Sequence, residues 1–237
     1  MSVFTVDTSV APSATNFHTI QDAVNAASSG DTIEVAAGSY AENVLISTSG
    51  ITLVAVAGRD NTTITGSNAS PLLATIEIDP NTDDVTIQGF TIVGINGNGA
   101  IEKAAIYIQG DNDGLHLQDN EIVAMGDAGL QSEWGGALTN ALIDGNIFSG
   151  QTFEGPFAGT GDQFAVGNNV PRALVFLGNG GGAGAAAGHD IPFPNNQVPG
   201  PAGGPTGPDQ PVYGNLLVNI DANDSTISGN VFSGFTA

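Results

Sequence analysis

The chain has 237 residues, no cysteine, and 24 acidic side chains against three basic ones, for a formal net charge of -21. Without cysteine there are no disulfides, thiolate metal sites or cysteine nucleophile. With only Arg59, Lys103 and Arg172 as cations, nucleic-acid binding is excluded, because it rests on Lys and Arg at phosphates. A dense polyanion is likewise repelled unless a divalent cation bridges it, and no run of 18 apolar residues offers a membrane span.

The opening segment MSVFTVDTSV lacks the basic n-region and apolar core of a secretory signal, which leaves a cytoplasmic location or an export signal encoded elsewhere. Residues 18 to 27, HTIQDAVNAA, place Ile20, Ala23, Val24 and Ala27 at i, i+3, i+4 and i+7, one face of a short amphipathic helix. Thr19 or Asn16 caps its start, and Ser28, Ser29 and Gly30 end it. From Asp31 the period changes to two, with Ile33 and Val35, Val44 and Ile46, Ile51 and Leu53, then Ile64, punctuated by Gly38, Gly50, Gly58 and Gly66. A helix ahead of many short strands suits a β-solenoid, whose open end exposes apolar side chains and unpaired backbone that a helical lid covers.

A phrase then recurs. Residues 78–94 read IDPNTDDVTIQGFTIVG, 108–126 read IQGDNDGLHLQDNEIVAMG, 220–234 read IDANDSTISGNVFSG, and a shorter copy, ALIDGNIFSG, fills 141–150. Aligned on Ile87, Leu117, Ile143 and Ile227, the copies fall 30, 26 and 84 residues apart, the last interval being about three turns of a period near 28. A repeat of that length marks a unit that buries its apolar face only by stacking on its neighbours.

The segment 17–46, FHTIQDAVNAASSGDTIEVAAGSYAENVLI, resembles the opening of right-handed parallel β-helix proteins of the pectin-lyase-like superfamily, and the Ile-x-Gly-Asn-x-Phe phrase resembles the coil repeats of that group. The resemblance covers about 17–150 and 212–234. It implies an all-β fold, a right-handed parallel β-helix with an N-terminal amphipathic capping helix, in a single domain over 1–237 with regular coils at 31–150 and 212–234. Pectate lyases, pectin methylesterases, polygalacturonases, alginate epimerases, tailspikes and adhesins share this scaffold, so the resemblance implies a fold and no particular reaction. A lyase of this kind pairs calcium-binding Asp residues with an Arg or Lys base, and few such bases are available here. Pectin methylesterases carry Gln-Asp and Asp-Phe motifs followed by Gly-x-Arg, which GDQFAVGNNVPR at 161–172 echoes only faintly.

Between the third and fourth copies, 151–211 breaks the pattern. It holds two strand-like runs, 163–166 and 173–177, then a stretch dominated by Gly, Pro and Ala that cannot build its own core. This is the expected irregular excursion from the solenoid wall.

Three groups of residues are candidates for chemistry. Acidic turns precede three of the repeats: Asp79, Asp83 and Asp84; Asp111, Asn112 and Asp113; Asp221, Asn223 and Asp224. Successive coils lie about 4.8 Å apart, so carboxylates stacked at one corner repel each other, and calcium, which takes six to eight oxygens, is the cofactor that relieves this. The competing reading is turn chemistry, since Asp, Asn and Gly suit tight bends without any ion. For acid and base work across neighbouring coils the candidates are Asp119, Glu121 and Asp144, with Asp127 and Glu133 behind them. Trp134, with Glu133 and Gln131, is a candidate sugar-stacking platform. Asn120, Asn146 and Asn230 recur at one repeat position, with Phe90 in the first copy, and read as an architectural ladder. His18, His116 and His189 are too scattered for a zinc site.

The function expected from these features is a non-enzymatic extracellular surface or matrix module, calcium-dependent in assembly or ligand binding, that self-associates through an open C-terminal end or continues in a longer parent chain. The alternative is a polysaccharide-active lyase, hydrolase or epimerase working on the outer wall.

Overall fold

A computed structural model describes residues 1–95, 104–125, 128–133, 137–150, 175–176, 222–223 and 225–233. Parallel strands stack coil on coil into three long walls and a short fourth one. The first wall runs in the order Asn16–Phe17, Val3–Val6, Thr32–Val35, Thr52–Ala55, Thr86–Gln88, His116–Gln118, Leu142–Asp144 and Thr226–Ser228. The second runs from Gly38–Tyr40 through Thr62–Thr65, Thr91–Val93, Glu121–Ala124 and Ile147–Gly150 to Val231–Ser233. The third comprises Val44–Ile46, Ala74–Ile78, Ala104–Ile108, Ala128–Ser132 and Val175–Phe176, and the fourth Asn112–Asp113, Leu138–Thr139 and Ala222–Asn223. The winding is a parallel β-helix, right-handed as parallel crossovers are.

Alternation fixes which side chains fill the coil. Ile33, Leu53, Ile87, Leu117 and Ile143 are register partners in successive coils and are at most 1% exposed, forming one apolar column inside the first wall. Ile64 and Ile92 on the second wall and Val44, Ile76, Ile106 and Leu130 on the third close the core from the other sides. Burying each such side chain stabilises the fold by roughly 1.5–3 kcal/mol.

One sequence expectation is corrected by this register. Ile143 and Ile227, 84 positions apart, are direct partners, so these two residues stand in successive rungs of the first wall and not three turns apart. The described strands between them in the chain are Val175–Phe176 on the third wall, inside the strand-like run 173–177, and Ala222–Asn223 on the fourth. A chain returns to the same register after any length of excursion, which is why spacing alone miscounted the coils.

The N-terminal end is closed by the helix Ile20–Ala26, whose Ile20, Ala23 and Val24 are buried. Thr19 is the N-cap, its Oγ1 accepting from the Asp22 amide at 3.2 Å. Asn16, the other candidate cap, instead lies in a strand, its amide side chain donating to the Asp7, Val10 and Ala11 carbonyls. Gln21 completes the lid: its Nε2 donates to Leu45 O at 3.1 Å and its Oε1 accepts from Leu45 N at 2.6 Å, so a side-chain amide takes the place of the missing strand beside the third wall. Glu42 accepts from the Ile20 and Gln21 amides at 2.9 and 3.0 Å, satisfying two orphan donors of the first turn.

Between the first and second walls the bend is built around the asparagine ladder. Asn120, Asn146 and Asn230 are at most 1% exposed. Asn146 Oδ1 accepts from the Asn120 amide at 3.0 Å, and Asn230 Oδ1 accepts from the Asn146 amide at 2.8 Å. The ladder ends at Phe90, whose amide donates to Asn120 Oδ1. Immediately before these residues, Gly89, Asp119, Gly145 and Gly229 all hold positive φ, between 54° and 79°.

Candidate functional site

The outer faces of the coils carry the polar side chains that the core rejects. On the first wall, Gln88, Gln118 and Asp144 are register partners and form one outward row, continued by Ser228. At the end of that row is Asp119, exposed, in the left-handed conformation with φ 54°. Its amide donates to Asp144 O at 3.1 Å, so the two candidate carboxylates are on adjacent coils at one corner.

Each carboxylate leans one coil onward. Asp119 Oδ1 lies 2.6 Å from where a Cβ on Gly145 would sit, so only glycine leaves it room. Asp144 Oδ1 accepts from Ser228 Oγ at 2.5 Å. Above this corner the loop 56–61 folds down: Thr91 Oγ1 donates to Arg59 O at 2.9 Å, and Arg59 Nη1 reaches the Gly145 carbonyl at 3.3 Å. Arg59 is the one Lys or Arg among the described residues. Sequence reading missed its part in this corner because 86 residues separate it from Gly145. Glu121 stands apart from the pair: it is past the Asn120 bend, on the second wall, in a row with Thr91 and Ile147.

The acidic turns occupy the corner between the third and first walls. The first two are neighbours: the Asp113 amide donates to Asp83 Oδ1 at 2.9 Å, and the Asp84 amide to Asp113 O at 2.8 Å. The third is not their neighbour, because Leu138–Thr139 is the rung between Asn112–Asp113 and Ala222–Asn223. Asp221 and Asp224 lie outside the described residues, and of the three only Asn223 has a described backbone. Asn81, Asp83, Asp111, Asn112, Asp113, Ala137 and Thr139 line an open hollow of about 260 Å³. Asp79 is not among them.

Backbone and hydroxyl donors meet much of the charge in this hollow. Asp111 Oδ1 accepts from the Ala137 amide at 2.8 Å. Asp113 Oδ1 accepts from Thr139 Oγ1 at 2.5 Å and Asn140 Nδ2 at 2.7 Å, and these bonds hold its carboxyl below the usual aspartate range. Asp84 has φ 55°, in a column with Gly50, Gly114 and Asn140, all at positive φ. That column favours glycine, Asn and Asp, so turn geometry by itself accounts for an Asp at position 84. No group of three or more His, Asp or Glu side chains is poised around a metal position among the described residues.

On the third wall, Gln131 faces outward in register with Tyr107 and Glu77. Gln131 is 9% exposed. Glu133 is exposed, its Oε2 accepting from the Gly110 amide at 2.8 Å. Trp134 and Asp127 lie outside the described residues. Glu77, which sequence reading did not single out, is 4% exposed and accepts from the Leu73 amide at 2.6 Å and from Gln109 Nε2, tying the preceding loop to the wall.

No protein-family model and no curated protein matches the chain. Among solved structures it is similar to a mutant pectin methylesterase in complex with a hexasaccharide, with TM-score 0.50 and 17% identity over 75% of this chain and 52% of that one. It is also similar to a pectin methylesterase in complex with another hexasaccharide, at TM-score 0.43, 20% identity and coverage of 63% and 52%. A third is the pectin methylesterase PemA from Erwinia chrysanthemi, at TM-score 0.36, 18% identity and the same coverage. The chain spans about half the length of each structure it matches. At 17% identity the first of these shows a shared parallel β-helix fold and nothing finer. No helix of the described residues is long and apolar enough to cross a membrane.

Proposed function

We propose that this chain is a polysaccharide-active β-helix whose substrate lies along the outer face of the first wall, with Asp119 and Asp144 as the reacting carboxylates and Gln88 and Gln118 as amides that hold sugar hydroxyls. The observation that carries this reading is the adjacency of Asp119 and Asp144 on neighbouring coils, at the end of an outward row of glutamines. Two carboxylates on neighbouring coils, whose strands lie about 4.8 Å apart, suit an acid and base acting on one bond. The fold is shared with an enzyme whose structure holds a hexasaccharide, which supports a glycan as the ligand class. The charge of -21 favours a neutral or sparsely charged polysaccharide over a dense polyanion. Such a substrate places the chain outside the cell or at its surface.

The test is turnover across a panel of neutral and esterified polysaccharides, comparing the wild type with Asp119→Asn and Asp144→Asn. Each substitution is expected to lower the rate by about a hundredfold or more, the usual contribution of a positioned acid or base. Unchanged turnover in both variants refutes the assignment.

A non-enzymatic, calcium-dependent surface module is the second reading, and the hollow at the other corner is what favours it. Asp83 and Asp111 each commit one oxygen to an amide, and their second oxygens, with Asn81 and Asp113, are the donors a calcium ion would use. Calcium titration that raises the melting temperature of the wild type but not of Asp111→Asn supports it, and a melting temperature indifferent to calcium and chelator removes it.

A further inference from the structure

We propose that Arg59 is the specificity-determining residue of the first-wall site, taking a single carboxylate of the glycan. The substrate is then a mostly neutral polysaccharide carrying isolated acidic sugars. This rests on the glycan reading above and adds the substrate's charge to it.

The loop bearing Arg59 approaches the first corner closely, with Gly58 Cα 3.7 Å from the Cβ position of Gly89, and Arg59 is half-buried. From there the side chain passes the coil of Asp119 and ends at Gly145, the same residue over which the Asp119 carboxylate lies. A guanidinium has five N–H donors in a planar fork. Nη1 donates to Gly145 O, and this is the only hydrogen bond that the Arg59 side chain makes among the described residues. Arg59 also forms no ion pair within 4.0 Å with the nearby Asp60, Asp119, Glu121 or Asp144. A cation with most of its donors unspent, beside two carboxylates in a chain of net charge -21, is a local exception to the protein's field. Its planar fork matches a carboxylate in bidentate geometry. A densely charged polyanion meets repulsion everywhere else, so one carboxylate per bound stretch is what this arrangement accepts.

Isothermal titration with a neutral hexasaccharide and with the same hexasaccharide carrying one uronate tests the proposal. Wild type is expected to bind the uronate form at least about tenfold more tightly, as a charge-assisted bond predicts, with the preference shrinking as salt rises. Arg59→Gln should lose the preference for the uronate form, and Arg59→Lys should retain part of it. Because Arg59 also caps Gly145 O, the folded state of both variants is checked by circular dichroism; if Arg59→Gln does not fold, Arg59→Lys and the salt series decide. A wild type that binds both forms equally, or a preference that survives in Arg59→Gln, overturns the assignment of Arg59 alone. Binding of neither form overturns the glycan reading itself.

Discussion

Truncating Asn146 to alanine tests the bend that holds the site in register. Its Oδ1 accepts from the Asn120 amide at 3.0 Å and from Asn120 Nδ2 at 3.1 Å, and its Nδ2 donates to Leu117 O at 2.8 Å, Asp144 O at 3.2 Å and Asn230 Oδ1 at 3.0 Å. After truncation, Asn120 Nδ2 keeps Ile87 O, and Asn230 Oδ1 keeps the Asn146 amide. The Asn120 N–H has no substitute, whereas Leu117 lies within the parallel ladder to Ile143. One buried group losing its partner predicts a loss of about 1–3 kcal/mol. The outward-facing Thr86→Ala serves as control and should change stability by less than about 0.5 kcal/mol. Urea denaturation followed by circular dichroism is the assay. Since solenoid coils couple mainly to their neighbours, the last coils can melt first, and the earliest transition is the one to compare. A loss under about 1 kcal/mol in Asn146→Ala would show that the ladder does not hold the bend.

Gly145→Ala should destabilise by about 1–2 kcal/mol from its φ of 68° alone, with a further loss because the new Cβ meets Asp119 Oδ1. Measured against an Asp119→Ala background, which carries its own cost at φ 54°, Gly145→Ala should lose only the first part, and an undiminished loss in a melting experiment would contradict the geometry. Thr19→Ala removes the cap on Asp22 N and should lower stability by about 1 kcal/mol; an unchanged melting temperature would mean that the lid does not depend on it. Asp31, whose carboxylate accepts from the Ser2 and Ser28 amides, is held below its ordinary value of 3.8 mainly by those two bonds. A depressed folded pKa contributes stability above the unfolded value that is lost as pH falls through the folded one. The melting-temperature difference between wild type and Asp31→Asn should therefore be largest from neutral pH down to about 5 and shrink below 4, whereas a difference that grows on acidification would reverse the sign of this linkage.

Most of the coil was legible because its alternation is strict: Ile33, Val35, Val44, Ile46, Ile51, Leu53 and Ile64 are all fully buried. Val3–Val6 was not legible, since only Val6 of its four residues is buried and the period-two signal is correspondingly faint. The asparagine ladder followed from its recurrence in the repeats. The site was legible in part. Asp119 and Asp144 could be nominated as carboxylates in repeat positions, but which of the acids are neighbours depends on strand register. That register separated Glu121 from the pair and put Thr139 between the second and third acidic turns. Arg59 enters through a contact across three coils, which no local pattern encodes.

Amide hydrogen exchange on adding a neutral hexasaccharide decides whether the first wall is the glycan-binding face. Protection is expected at 86–88, 116–119 and 142–145, along the outer face of the first wall, with the asparagine ladder unchanged because it is already buried. Protection confined to the acidic hollow at 81–84 and 111–113, or none anywhere, would contradict it.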